Sequence, residues 1–312
     1  MLSRVADNLY WMSRYLERAE HTARIMGVQL NLMLEHDVSS TGRRWPRVLE
    51  ALGSKDPIAG DPFLAAQSYA LSQIVGSIAA AREDARQVRE QISSEMWEEL
   101  NRLFHESKRT GTAEMFSSQP YELLSMILEH SLLFQGVTDS TMLHGEGWQF
   151  IQAGRFIERV QQTARLIDFH FKDFFIPSGE SINAAEHMEW VGLLRSCTAF
   201  EAYCKVYTAE VRPEWVAEFL MLSAEFPHSL RFGVDQLRRS LETIHQITAT
   251  RKSDRLGKLA GRLTAALSYT PPEEIMTSLH EFSTNVGRLC GQIHNGIHQL
   301  YITYPIEAAL EA

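Results

Sequence analysis

Arginine and glutamate recur in this chain at spacings that set them on adjoining turns of a helix. Arg14, Glu17, Arg18 and Arg24 open the pattern, and Arg155, Glu158, Arg159 and Arg165 repeat it at a shift of 141 residues. Guanidinium forks grip carboxylate or phosphate through paired hydrogen bonds, so a cleft lined by them would receive an acidic peptide or a partner's carboxylates. Alternatively, the copied glutamates neutralise the copied arginines and form an internal network that fixes the packing. The presence of both copied glutamates favours the internal network. Arg82, Glu83, Arg86, Arg195, Glu201 and Tyr203 are candidates to join the same cluster.

Other chemistries are poorly served. A di-iron bundle needs Glu from two helices and Glu-x-x-His from two more. Only Glu242-x-x-His245 is usable here, because Pro227 disfavours Glu225-x-x-His228. His294 and His298 fall on one helix face, but Asn295 stands where a zinc protease carries its general-base Glu. Glu242, His245, His294 and His298 are thus the weaker metal candidates, and surface or capping roles suit these histidines better. Cys197 lies among Leu193, Leu194 and Phe200, as a buried inert thiol would. The sequence contains no P-loop, no G-x-G-x-x-G after a strand and no G-x-S-x-G elbow, and no cofactor is expected.

The elements that must position the paired blocks are helices, for neither block contains Gly or Pro. At about 100° per residue, Val5, Met12, Leu16, Ala19, Ala23, Met26 and Leu30 form one stripe. Arg14, Glu17, His21 and Arg24 lie on the other side beside Tyr10, Ile25, Val28 and Leu32, which predicts a helix buried on both sides. It starts near Ser3 and runs to about Glu35, with Ser39 to Gly42 closing it. Helices are further expected over 46–52, 63–69, 73–91, 94–108 and 120–136, before a divider from Asp139 to Gly147. The second long helix follows and is broken by Phe175 to Ser181, and then come helices over 184–208, 213–222, 228–248, 254–268 and 272–302.

At a shift of 152 residues, Pro120-Tyr121-Glu122-Leu123-Leu124 meets Pro272-Glu273-Glu274-Ile275-Met276, and Arg86 meets Arg238. The chain therefore reads as an all-α helical bundle of two pseudo-symmetric repeated halves, 1–140 and 141–312, each with one Glu-Arg motif and packed as one body. An approximate twofold would pair Glu17 with Arg159 and Glu158 with Arg18, or keep each glutamate within its half on Arg14 or Arg86 and Arg155 or Arg238. Glu20, matched by Gln161, should be dispensable. Trp190, Leu193, Leu194, Cys197 and Phe200 should face the core, with Arg195 and Glu201 turned elsewhere.

Hydrophobic residues make up 45% of the chain and charged ones 22%, enough for a globular protein with ample core. A net charge of −9 argues against a general nucleic-acid binder. The basic clusters Arg43, Arg44, Arg47 and Arg251, Lys252, Arg255, Lys258, Arg262 read as solubilising. The three cysteines lack a C-x-x-C spacing, which suits reduced thiols of the cytoplasm better than disulfides or a zinc ribbon. The opening residues lack the apolar run of a signal peptide, and no stretch approaches the roughly 18 apolar residues of a membrane helix. A cytoplasmic protein without membrane contact is expected.

Several blocks carry a family resemblance: Met1 to Ala6, Asn8-Leu9-Tyr10-Trp11, Arg14 to Arg24, Ala81 to Arg86, Ser94-Glu95-Met96-Trp97 and Gly154 to Arg159, then Leu194-Arg195-Ser196, Phe200-Glu201-Ala202-Tyr203 and Phe226-Pro227. Over nearly its whole length the chain resembles the alpha-E family, all-helical bacterial domains named for a Glu-Arg motif. The resemblance implies companionship with circularly permuted ATP-grasp ligases and transglutaminase-like proteins, and so a part in ATP-driven peptide or amide-bond formation. It supplies no catalytic residues to carry over. The expected role is an accessory or binding subunit beside such partners. The alternative is a stand-alone helical-bundle enzyme, metal-dependent or using an Arg/Glu cleft on an amide or peptide substrate.

Overall fold

A helix of 33 residues, α1 (Ser3–Glu35), runs through the middle of the molecule. The computed structural model describes residues 1–35, 38–54, 60–109, 112–174, 184–248 and 254–303. After α1 come α2 (Val38–Leu52), α3 (Pro62–Gln87), α4 (Ser94–Ser107), α5 (Thr112–Ser118), α6 (Pro120–Thr141) and α7 (Glu146–Phe174). Next are α8 (Ala184–Ser196), α9 (Phe200–Tyr207), α10 (Pro213–Leu222), α11 (Leu230–Thr248), α12 (Asp254–Tyr269), α13 (Pro272–Thr277) and α14 (Leu279–Ile297). A π-helical turn, His298–Ile302, extends α14. No strand occurs among the described residues, so the fold is all-α.

Both faces of α1 are covered. Met12, Leu16, Ala19, Ala23 and Met26 are buried on one side, and Tyr10, Ile25 and Leu32 on the other. Helices α3 and α6 pack on α1, α11 and α14 pack on α7, and α1 and α7 pack on each other. Their backbones approach closely: a Cβ on Gly154 would run into the carbonyl oxygen of Tyr10, and the Ser13 hydroxyl donates to the Ile151 carbonyl at 2.6 Å. Only glycine fits that approach. Local chemistry sets several helix starts. Asp61 caps α3 by accepting from the amides of Phe63 and Leu64 at 2.8 and 3.1 Å with Pro62 following it, and Ser93 caps α4 through the Met96 amide at 3.1 Å.

Some boundaries differ from expectation. Helix α2 takes in Ser39 to Gly42 and passes through Pro46, held by the burial of Trp45, Val48, Leu49 and Ala51. The two helices expected over 63–69 and 73–91 are one, and α6 continues to Thr141, beyond the start of the expected divider. The expected helix 184–208 is split at Thr198, which has a φ of 53°. There the Ala199 amide donates to Leu194 and the Thr198 amide to Arg195, the 6→1 and 5→2 bonds of a Schellman cap. Trp190, Leu193, Leu194 and Cys197 are buried as expected, whereas Phe200, beyond the split, is half-buried. The expected break from Phe175 to Ser181 lies outside the described residues. No described helix is long and apolar enough to cross a membrane.

Candidate functional site

Where α1 crosses α7, each helix supplies the cation for the other's glutamate. The Nε and Nη2 of Arg159 donate to Glu17 Oε1 and Oε2 at 2.5 and 3.0 Å. The Nε and Nη2 of Arg18 donate to Glu158 Oε1 and Oε2 at 2.7 and 3.0 Å. Both are two-toothed carboxylate grips of the kind a planar guanidinium makes best. Of the two pairings the repeat allowed, the crossed one is present; Arg86 pairs with Glu83 and Arg238 with Glu242, each on its own helix.

The two pairs differ in their surroundings. Glu17 and Arg159 are 4% and 6% exposed, and the remaining Arg159 donor reaches the Pro227 carbonyl at 3.3 Å. Burial pushes the Glu17 carboxyl above the ordinary range; Arg159 pulls against this, and nearby Glu20 adds to the rise. Glu158 has more donors. Arg14 Nε and Gln162 Nε2 reach it at 2.8 and 2.7 Å in addition to Arg18. Burial works to raise its carboxyl too, but Arg14 and Arg18 outweigh that and hold it at about 2.

Further polar groups surround the crossing. Glu20, expected to be dispensable, is buried, pairs with Arg24 and accepts from Gln135 Nε2 at 2.9 Å. Its place in the repeat gave no sign of this, because Gln135 comes from α6. Arg155 binds amide oxygens, those of Gln135 and Gln152, at 2.5 and 3.2 Å. Burial and neighbouring Arg159 lower its proton affinity. His21, in the middle of the first block, is held neutral with a pKa of about 3 by burial and by Arg24. Burial and Arg159 press His228 well below its usual range as well.

The Glu158 side opens to a cleft of about 230 Å³ walled by Arg18, His21, Tyr69, Gln162 and Arg165. A second cavity of about 280 Å³, bounded by Asp168 and Ser283, shares Gln161 and Arg165 with the first. Arg165 is solvent-exposed and lies against Gly53, which ends α2 with a φ of 89°; a Cβ at Gly53 would collide with its guanidinium.

The Alpha-E family, described as a predicted alpha-helical domain with a conserved ER motif, matches residues 1–302. The chain belongs to the Alpha-E family. It is 24% identical over 304 residues to uncharacterized proteins of Mycobacterium bovis and Mycobacterium tuberculosis (strain CDC 1551), covering 87% of this chain and 33% of each relative. The chain thus spans about a third of the length of these curated relatives. No solved structure matches it.

The remaining candidates stand apart from the ER pairs of this Alpha-E chain. Arg82 donates to Asn101 at 2.8 Å and lies over the Phe104 ring, while Glu83 and Arg86 form an exposed pair on α3. Arg195 is exposed beside Phe200, Glu201 is exposed, and the buried Tyr203 donates its hydroxyl to the Glu210 carbonyl at 2.8 Å. None of these six hydrogen-bonds to the ER carboxylates, so the cluster expected from sequence is smaller.

The metal candidates do not converge: among the described residues no group of three or more His, Cys, Asp or Glu is arranged to hold an ion. Glu242 is paired with Arg238, and His245 lies on the same helix. His294 is half-buried. It accepts from the Tyr10 hydroxyl at 2.9 Å, and its ring lies beside that of His298; burial and Arg14 hold it at about 4. Cys197 is buried, which pushes its thiol up to about 12.

The first basic cluster is also corrected. Arg44, 2% exposed, is ion-paired with Glu189 at 2.7 Å and therefore joins α2 to α8 instead of solubilising the surface. Arg47 covers the Phe174 ring at 4.4 Å. Arg251 and Lys252 fall outside the described residues.

Proposed function

We propose that this Alpha-E chain is a duplicated helical module that binds and positions, acting beside an ATP-grasp ligase and a transglutaminase-like protein in the formation or modification of peptide or amide bonds. The observation that carries this reading is the crossed pairing. Both ER glutamates are engaged by arginines of the opposite helix, so the motif's acid and base groups serve packing, and bond-making chemistry falls to another catalytic domain. About two thirds of each relative lies outside the matched region, which leaves room there for other domains.

Two halves, 1–140 and 141–312, are part of the same reading. At the shift of 141, Tyr10 and Ser13 correspond to Ile151 and Gly154, and their close contacts are reciprocal: Ser13 on the Ile151 carbonyl, Gly154 on the Tyr10 carbonyl. Packing order repeats as well. α1 rests on α3, α3 on α4 and α4 on α6, as α7 rests on α11, α11 on α12 and α12 on α14. A pseudo-twofold through the crossing accounts for both series.

Affinity capture of the tagged chain from its native host tests the partnership. Recovery of a ligase or a transglutaminase-like protein is the expected outcome. Capture of neither, together with amide-bond turnover by the purified chain alone, would replace this reading with that of a stand-alone enzyme.

A further inference from the structure

We infer that the trough beside Glu158 is a ligand site that takes a free carboxylate together with an adjoining N–H donor, the chemistry shared by a peptide C-terminus and a free amino acid. The inference goes beyond the partnership proposed above and does not depend on it. It rests on polar groups of the trough that have no partner among the described residues. Arg165 is exposed and makes no hydrogen bond or ion pair among the described residues, yet the bare backbone of Gly53 receives its guanidinium. Gln162 commits its Nε2 to Glu158 at 2.7 Å, and its Oε1 is buried with no donor. Turning that amide over would set its oxygen against a carboxylate oxygen, so the orphan is an acceptor. The Nε2 of His21 and the Oγ of Ser283, one in each cavity, are likewise buried without a partner.

This complement selects among ligands. The Glu158 charge is already more than balanced by Arg14 and Arg18, which leaves Arg165 as a cation for an incoming anion. Acetate would answer Arg165 but bring no hydrogen-bond donor to Gln162 at neutral pH, leaving a buried acceptor unpaired. A peptide end or an amino acid answers both. The two cavities, about 230 and 280 Å³, together reach the size of small-ligand pockets, about 300–1,000 Å³. Asp168 bounds the far side, holding His280 at 2.8 Å through one oxygen, and would suit the ammonium of a free amino acid.

The test is a titration of the purified full chain, followed by NMR, with free amino acids, Gly-Xaa dipeptides, the same dipeptides amidated at the C-terminus, acetate and inorganic phosphate. At least one carboxylate-bearing amino acid or dipeptide should bind at millimolar concentration or below, and amidation should weaken it about tenfold or more. Arg165→Gln should cost a similar factor with an unshifted melting curve, and Arg165→Lys should restore part of the loss. Tighter binding of dipeptides assigns the site to peptide ends, and tighter binding of free amino acids assigns it to those; both outcomes uphold it. Acetate or phosphate binding as tightly as the best of these, amidation without effect, or no binding by any probe overturns it. Should Arg165→Gln fail to fold, the comparison of acid with amide on the unmodified chain decides.

Discussion

Glu17 and Glu158 hold equivalent places in two like sequences, and each lies in the grip of an arginine from the other helix. Glu17 meets one guanidinium, in a sealed setting, with a second carboxylate close by. Glu158 meets two, and Arg18, the outer one, keeps 29% of its side chain in solvent beside the cleft. Burial decides the titration of the first, and the surplus of guanidinium decides that of the second. One motif can thus serve as a closed brace at one position and as the wall of an open trough at the other, the difference lying in what the neighbouring helices bring to it.

The comparison breaks first under amide substitution. Glu158→Gln strands the buried Arg14 in the interior and should cost about 3–5 kcal/mol in urea unfolding, as loss of a buried partner does. Glu17→Gln should cost less than that, because burial already works against the ionised form of Glu17 in the fold. A larger loss at Glu17 would mean the sealed side is the stronger brace.

Acidification should separate the pair next. Glu158 titrates near 2 in the fold against about 4.5 unfolded, so its contribution is present above the unfolded value and is lost as pH falls toward 2. Glu17 is raised, so its contribution is present at low pH and is lost as pH rises through its folded value. Stability measured between pH 7 and 3 should therefore fall less steeply below pH 4.5 in Glu158→Gln, and more steeply above pH 4.5 in Glu17→Gln. Both curves sit on a common decline below about 6.5, from histidines kept neutral in the fold, His21 and His170 at about 3 and His294 at about 4. Matching slopes in the two variants would erase the distinction.

A smaller effect is expected at Arg18. Arg18→Gln leaves Glu158 with Arg14 and Gln162, and should cost about 1–2 kcal/mol, against about 3–5 kcal/mol for Arg159→Gln, which leaves Glu17 buried without its guanidinium. Smallest is the exposed Glu83 and Arg86 pair, where Arg86→Gln should leave the melting curve in place.

Legibility in the sequence followed the kind of signal each feature sends. Periodic apolar residues and intact helix-forming blocks marked α1 and α7, and the copied Glu and Arg residues narrowed the partners to two arrangements, crossed or within each half, between which only the packing of the two helices decides. The split at Thr198 was hidden because a left-handed cap is ordinarily signalled by Gly or Asn, and here it is threonine. Proline argued against a long α2, and the burial of Trp45 beside it overrode that preference. Arg44 with Glu189, and Glu20 with Gln135, join side chains with no periodic relation, so they appear only once the helices are packed. Arg82, Glu83 and Arg86 were drawn into the site by charge alone, which says nothing about the direction in which a helix presents it.

The crossed pairs also bear on how the chain is made. Arg159 lies 142 residues downstream of Glu17. At usual rates of synthesis, on the order of ten seconds separate the emergence of one from the other. During that interval Glu17 lacks Arg159, Arg14 and Arg18 lack Glu158, and the apolar flank of α1 has no α7 to cover it. A growing chain therefore carries charges of both signs and apolar surface on its first helix that stay unmet until α7 arrives, the kind of transient exposure that makes a nascent chain prone to association.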